Sequence, residues 1–155
     1  MKPILRDKKK TTLMLLSAVL LSGCAGQVQL NKPTASGKPE GIYQNTTAER
    51  VQSALVSRCN EKGFMVLEST PSNVLCAKET QGGGAIMAQL LVGNAYSTAA
   101  QSKLRFSISK INDSVKVWAD AWIESQMPGG QVNQMAMTGN DVKNSIQASL
   151  DSLNP

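Results

Sequence analysis

Residues 103–126, KLRFSISKINDSVKVWADAWIESQ, alternate between apolar and polar side chains for nearly their whole length. Leu104, Phe106 and Ile108 point one way along a strand, and Arg105, Ser107 and Ser109 point the other. Asn112-Asp113 then supplies a hairpin turn. Beyond it Val115, Val117, Ala119, Ala121 and Ile123 take one face, while Lys116, Trp118, Asp120, Trp122 and Glu124 take the other. Two period-two runs joined by a two-residue turn predict an antiparallel hairpin with one apolar face. That face has to be covered by something else in the chain.

The covers are legible on both sides of the hairpin. Upstream, Val51, Leu55 and Cys59 recur at i, i+4 and i+8, with Ala48 and Val56 widening the stripe. Thr46 or Thr47 opens this helix as its N-cap, and Gly63 ends it. Residues 64–69 and 74–80 read as two further strands about a turn at Pro71-Ser72-Asn73. Downstream, Met127-Pro128-Gly129-Gly130 makes a turn, and residues 131–138 offer a last strand. A closing helix follows, capped by Asn140 or Asp141, with Val142, Ile146, Leu150 and Leu153 as its stripe. The expected fold is α+β: an antiparallel sheet of about four or five strands, with N- and C-terminal helices packed on one face. Residues 46–155 form its single domain.

Cys59 lies on the first helical stripe, and Cys76 shares a strand face with Val74. A helix packed on that face brings the two cysteines together, which predicts a structural disulfide contributing about 3 kcal/mol. The redox alternative lacks a CxxC spacing and a histidine to activate a thiolate.

The remaining cysteine has a different setting. Lys2, Arg6, Lys8, Lys9 and Lys10 precede an apolar run at residues 13–21, and Leu21-Ser22-Gly23-Cys24 follows it. A basic start, a short apolar core and small residues before a cut site mark an export signal. The run is shorter than the about 20 apolar residues a spanning helix needs. Leu21-Ser22-Gly23-Cys24 resembles the lipobox of bacterial lipoproteins. The resemblance implies that residues 1–23 are removed as a signal peptide and that Cys24 is lipidated and acylated. It also implies that the membrane is reached through lipid. Ala25, where an Asp would retain the protein at the inner membrane, implies an outer-membrane anchor facing the periplasm. That compartment is oxidising, as the expected disulfide requires. Residues 24–45, rich in Pro and Gly, read as the lipidated Cys and a flexible tether averaging roughly 25 Å and stretching to roughly 70 Å, the alternative being that part of it packs as an edge strand around Ile42 and Tyr43.

The net charge of +5 belongs largely to the signal. Without residues 1–23, 11 basic and 10 acidic residues remain, a balance of +1. No basic stripe for nucleic acid is visible in that remainder. The chain has no histidine, which excludes Ser-His-Asp and Cys-His sites and leaves Cys59 and Cys76 two ligands short of a zinc site. Gly82-Gly83-Gly84 lacks the Lys-Ser/Thr of a phosphate loop. Met127, Met135 and Met137 read as gap-fillers near the last strand rather than copper ligands. The expectation is a noncatalytic protein without metal or cofactor. Its chemistry lies in surfaces. Trp118 and Trp122 share the polar strand face, and the apolar segment 85–96, with Ile86 and Leu90, is either buried or sticky. These four residues form the candidate partner surface of an accessory module in an envelope complex. The alternatives are a small apolar-ligand or lipid binder lidded by 85–96, and a surface exclusion lipoprotein.

Overall fold

The computed structural model describes residues 28–155 apart from 83, 85–87, 89, 90 and 95. Cys24, Ile86, Leu90 and the proposed signal therefore lie outside the described residues. Six strands form one antiparallel sheet: β1 Glu40–Gln44, β2 Met65–Thr70, β3 Asn73–Glu79, β4 Gln101–Ile111, β5 Ser114–Gln126 and β6 Val132–Ala136. Among the described residues two full helices, α1 Ala48–Glu61 and α2 Asn140–Asp151, complete an α+β architecture. The sheet order is β1-β5-β4-β3-β2, with β6 also on β5. β5 is 13 residues long, and β1 and β6 are 5 each. The two short strands sit end to end along one side of β5, β1 against residues 114–118 and β6 against 122–126. Between them Ala119 N donates to Pro39 O at 3.0 Å, and Met137 N to Ala121 O at 2.9 Å. Few backbone groups of that edge are left to seek other partners.

The alternation at 103–126 becomes a two-faced sheet. Phe106, Ile108, Val115, Val117 and Ala119 are buried in one core with Val74 and Cys76 of β3. α1 lays Val51, Leu55 and Cys59 on that face, and α2 adds Leu150, with Leu153 beyond its end. Thr47 is the α1 N-cap, its Oγ1 accepting from Arg50 N at 3.3 Å. Gly63 takes a φ of +71°, a left-handed turn that glycine makes without Cβ strain. Cys59 and Cys76 are joined as a disulfide, tying α1 to β3. Ala88 and Val92, both helical, are buried with Ala100 against Ile123 and Met135 at the far end of the same face.

Two expectations change. The closing helix has Gly139 as its N-cap and makes no side-chain cap bond. Asn140 is already helical, and its amide donates to Val28 O at 2.8 Å, so a distant segment has claimed the expected cap.

The second change concerns the tether. Glu40–Gln44 is the edge strand β1, and residues 28–39 are fastened along α2. Asn144 accepts from Asn31 N at 2.8 Å and donates to Gln29 O at 2.7 Å. Lys143 Nζ donates to Gly37 O at 2.9 Å, and Lys32 pairs with Asp151 at 2.8 Å. Gln147, 5% exposed, holds Glu40 by both backbone groups, accepting from its N–H and donating to its C=O. Tyr43 Oη donates to Leu150 O at 2.8 Å, and burial together with nearby Asp151 pushes its phenol up to about 12. Proline and glycine here exclude regular periodicity without excluding partners more than a hundred positions away. The folded unit thus begins by Val28 instead of residue 46.

Candidate functional site: the helix-free sheet face

Both helices, and the helical Ala88 and Val92, belong to one side of the sheet. Among the described residues no helix packs on the other side. The turn at Asn112-Asp113 sets the register there, pairing Arg105 with Asp120, Ser107 with Trp118 and Lys103 with Trp122. Strand alternation then puts Trp118, Trp122, Arg105, Lys116, Lys103 and Glu124 on this single face. β1 adds Glu40 opposite Trp118 and the exposed Ile42 opposite Lys116.

The two indoles are half-buried and lie beside cations. The Arg105 guanidinium stands 5.0 Å from the Trp122 ring centroid, and the Lys116 ammonium 5.1 Å from that of Trp118. Such contacts orient rings and charges on an exposed surface at about 0.5–1 kcal/mol each. Trp122 Nε1 donates to Glu124 Oε2 at 2.8 Å, and Gln134 Nε2 of β6 donates to the same oxygen at 3.1 Å. Lys103 pairs with the other Glu124 oxygen. Burial would raise the Glu124 carboxyl, but Lys103, Trp122 and Gln134 together hold it below the usual range. Lys116 pairs with Glu40 at 3.0 Å and lowers that carboxyl too, against a smaller effect of burial. Lys38 reaches Asp120 at 2.9 Å.

Most charges on this face are therefore neutralised within it. Arg105 differs: it is exposed, lies over Trp122, and makes no ion pair among the described residues. A donor fork over an aromatic plane fits a carboxylate that arrives beside apolar surface.

Trp118 and Trp122 stand where the alternation put them, side by side on one strand. Of the Pro- and Gly-rich lead, Lys38 and Glu40 reach this face, while its first described residues lie elsewhere. Residues 28–32 bond to α2, and Ala88 and Val92 pack against Ile123 and Met135, on the helix side. Whether Ile86 and Leu90 join the tryptophans falls outside the described residues. The alternation puts Glu124 on the tryptophan face and Arg105 on the polar face of the neighbouring strand, and the hairpin register joins the two. A two-residue turn at 112–113 fixes which residues lie across from one another.

A cavity of about 310 Å³ lies beside Lys103 and Glu124, and larger concave space lies on the helix side. Two adjoining cavities of about 330 and 510 Å³ run along α2 over the sheet, sharing Phe64, Leu104, Ser145 and Ile146, and the larger reaches α1 at Arg58. Among the described residues no helix is long and apolar enough to cross a membrane. Comparison with protein-family models, with curated proteins and with solved structures gives no significant match.

Proposed function

We propose that this protein is a noncatalytic lipoprotein anchored through Cys24 to the outer membrane, and that it presents the helix-free sheet face to a protein partner in the envelope. The observation that carries the reading is the pair Trp118 and Trp122 on a face that no helix covers among the described residues, with the exposed Arg105 over Trp122. Indoles and arginine are the side chains that most often anchor interfaces, because they bury large area with few rotatable bonds and a directed polar edge. The charge pairs around them form a polar rim that is already satisfied, so docking leaves few ions to desolvate alone. The lipobox supplies the address and the disulfide suits the compartment.

The test is crosslinking in living cells followed by affinity capture and mass spectrometry. It compares the natural chain, Cys24→Ser, and the double variant Trp118→Ala/Trp122→Ala. A defined set of envelope proteins, lost in both variants, is the expected result. If the double variant folds and still captures the same set, this face is not the docking surface. If Cys24→Ser remains attached to membranes, the anchor is not Cys24.

A further inference from the structure

The stripe that defines α2 is only partly used. Leu150 is 1% exposed, whereas Ile146 stays partly exposed, as does Leu104 beneath it on β4. These side chains line a groove that runs along α2 over the sheet and meets α1 at Arg58. At one end the helices are bridged, Arg58 Nη1 donating to Ser152 Oγ at 3.0 Å and Nη2 to Ser152 O at 3.3 Å. From there the groove runs along α2 past Ile146 to Val142 and Met137. The part near Val142 is walled mainly by Phe64, Leu104, Ala121, Met137 and Ile146. A volume of about 330 Å³ falls within the about 300–1,000 Å³ typical of small-molecule sites.

The route of the chain indicates what reaches it. Val28 O is held by Asn140, the first residue of α2, and the next two helical residues, Asp141 and Val142, line the groove. Cys24 lies four residues before Val28. Four extended residues span about 13 Å, comparable with the about 10–12 Å diameter of a helix. That reach is long enough for a group on Cys24 to meet the groove's Val142 end.

We propose that this groove holds one of the acyl chains attached to Cys24. The inference rests on the lipidation reading above. Moving one chain from bilayer to groove exchanges one apolar setting for another, so no large hydrophobic term opposes it. The lipoprotein resemblance implies three chains, a diacylglyceryl group on the thiol and an acyl group on the amino terminus, and the two left in the bilayer suffice for stable anchoring. A ligand on a short leash is present at an effective concentration of about millimolar, so weak complementarity is enough for occupancy. The folded unit would then sit against the membrane at the N-terminal end of α2, with the groove fixing its orientation.

The experiment uses the full chain in cells fed a palmitate that carries a diazirine in its acyl chain. After irradiation, peptides are mapped by mass spectrometry. Label on the Cys24 peptide together with crosslinks to peptides containing Phe64, Leu104 or Ile146 is the expected result. Leu104→Trp, which fills the groove, should lose those crosslinks while Cys24 stays labelled and the circular dichroism spectrum is unchanged. Label on Cys24 with crosslinks to phospholipid alone would overturn the proposal and leave lipidation standing. Absence of label on Cys24 would overturn the lipidation reading itself, and this proposal with it.

Discussion

The Glu124 carboxylate gathers three donors from three strands: Lys103 on β4, Trp122 on β5 and Gln134 on β6. A carboxylate held this way stabilises the fold only while ionised. Its folded-state pKa lies below the ordinary 4.5. Its contribution is therefore complete above that value and is lost as pH falls through the folded-state pKa. Glu124→Gln is expected to cost about 1 kcal/mol at neutral pH. It should also flatten the acid limb of stability, measured as urea midpoints from pH 7 downward. The natural chain should keep the steeper limb, with Glu40, Glu49 and Asp151, all also lowered, contributing to it. An acid limb of unchanged steepness in the variant would show that Glu124 gains nothing from its donors. The same cluster orients the Trp122 indole by its N–H, so the variant should loosen the ring that Arg105 overlies.

Between elements, the strongest local tie is Cys59–Cys76, which closes a separation of 17 residues and fixes α1 to the buried strand β3. The double replacement Cys59→Ala/Cys76→Ala is expected to lower unfolding stability by about 3 kcal/mol, read from chemical denaturation. Reduction of the natural chain should reproduce most of that loss, and a stability indifferent to both would remove the disulfide as a structural element. This contact was readable from element geometry, since a stripe ending in Cys59 and a strand face holding Cys76 had to meet over one core. β5 was equally readable, and its observed range, Ser114–Gln126, matches the alternation from end to end. β1 was not. Glu40–Gln44 is five residues with a glycine inside, too short and too irregular for a period to emerge, and its partner strand lies some seventy positions away. The α2 cap failed for a related reason, because Asn140 bonds to the chain's opposite end and not to its own helix.

Over the whole molecule, the segment from Val28 to β1 acts as a strap that binds the start of the domain to its last helix. Asn144 holds it from both sides, by Asn31 N and Gln29 O. Asn144→Ala is expected to cost about 1 kcal/mol and to speed amide hydrogen exchange at Asn31, leaving exchange in β4 and β5 unchanged. Slow exchange at Asn31 in the variant would show that other contacts carry the strap. Docking also shortens the leash to the proposed anchor. A tether of about twenty residues would let the domain stand roughly 70 Å from the membrane, whereas four residues allow about 13 Å. The sequence alone was sufficient for the two-faced hairpin and its register, the stripes of both helices, the cysteine pairing and the side of the sheet that bears the tryptophans. Each follows from a period or turn that a short window contains. Only the tertiary structure decided that β1 and β6 share one edge of β5, that the Pro- and Gly-rich lead is strapped to α2, and that a groove remains along α2 over the sheet. Those features depend on hydrogen bonds and packing between residues far apart in the chain. No local pattern encodes them, because an irregular segment looks the same in sequence whether its backbone groups find partners or water.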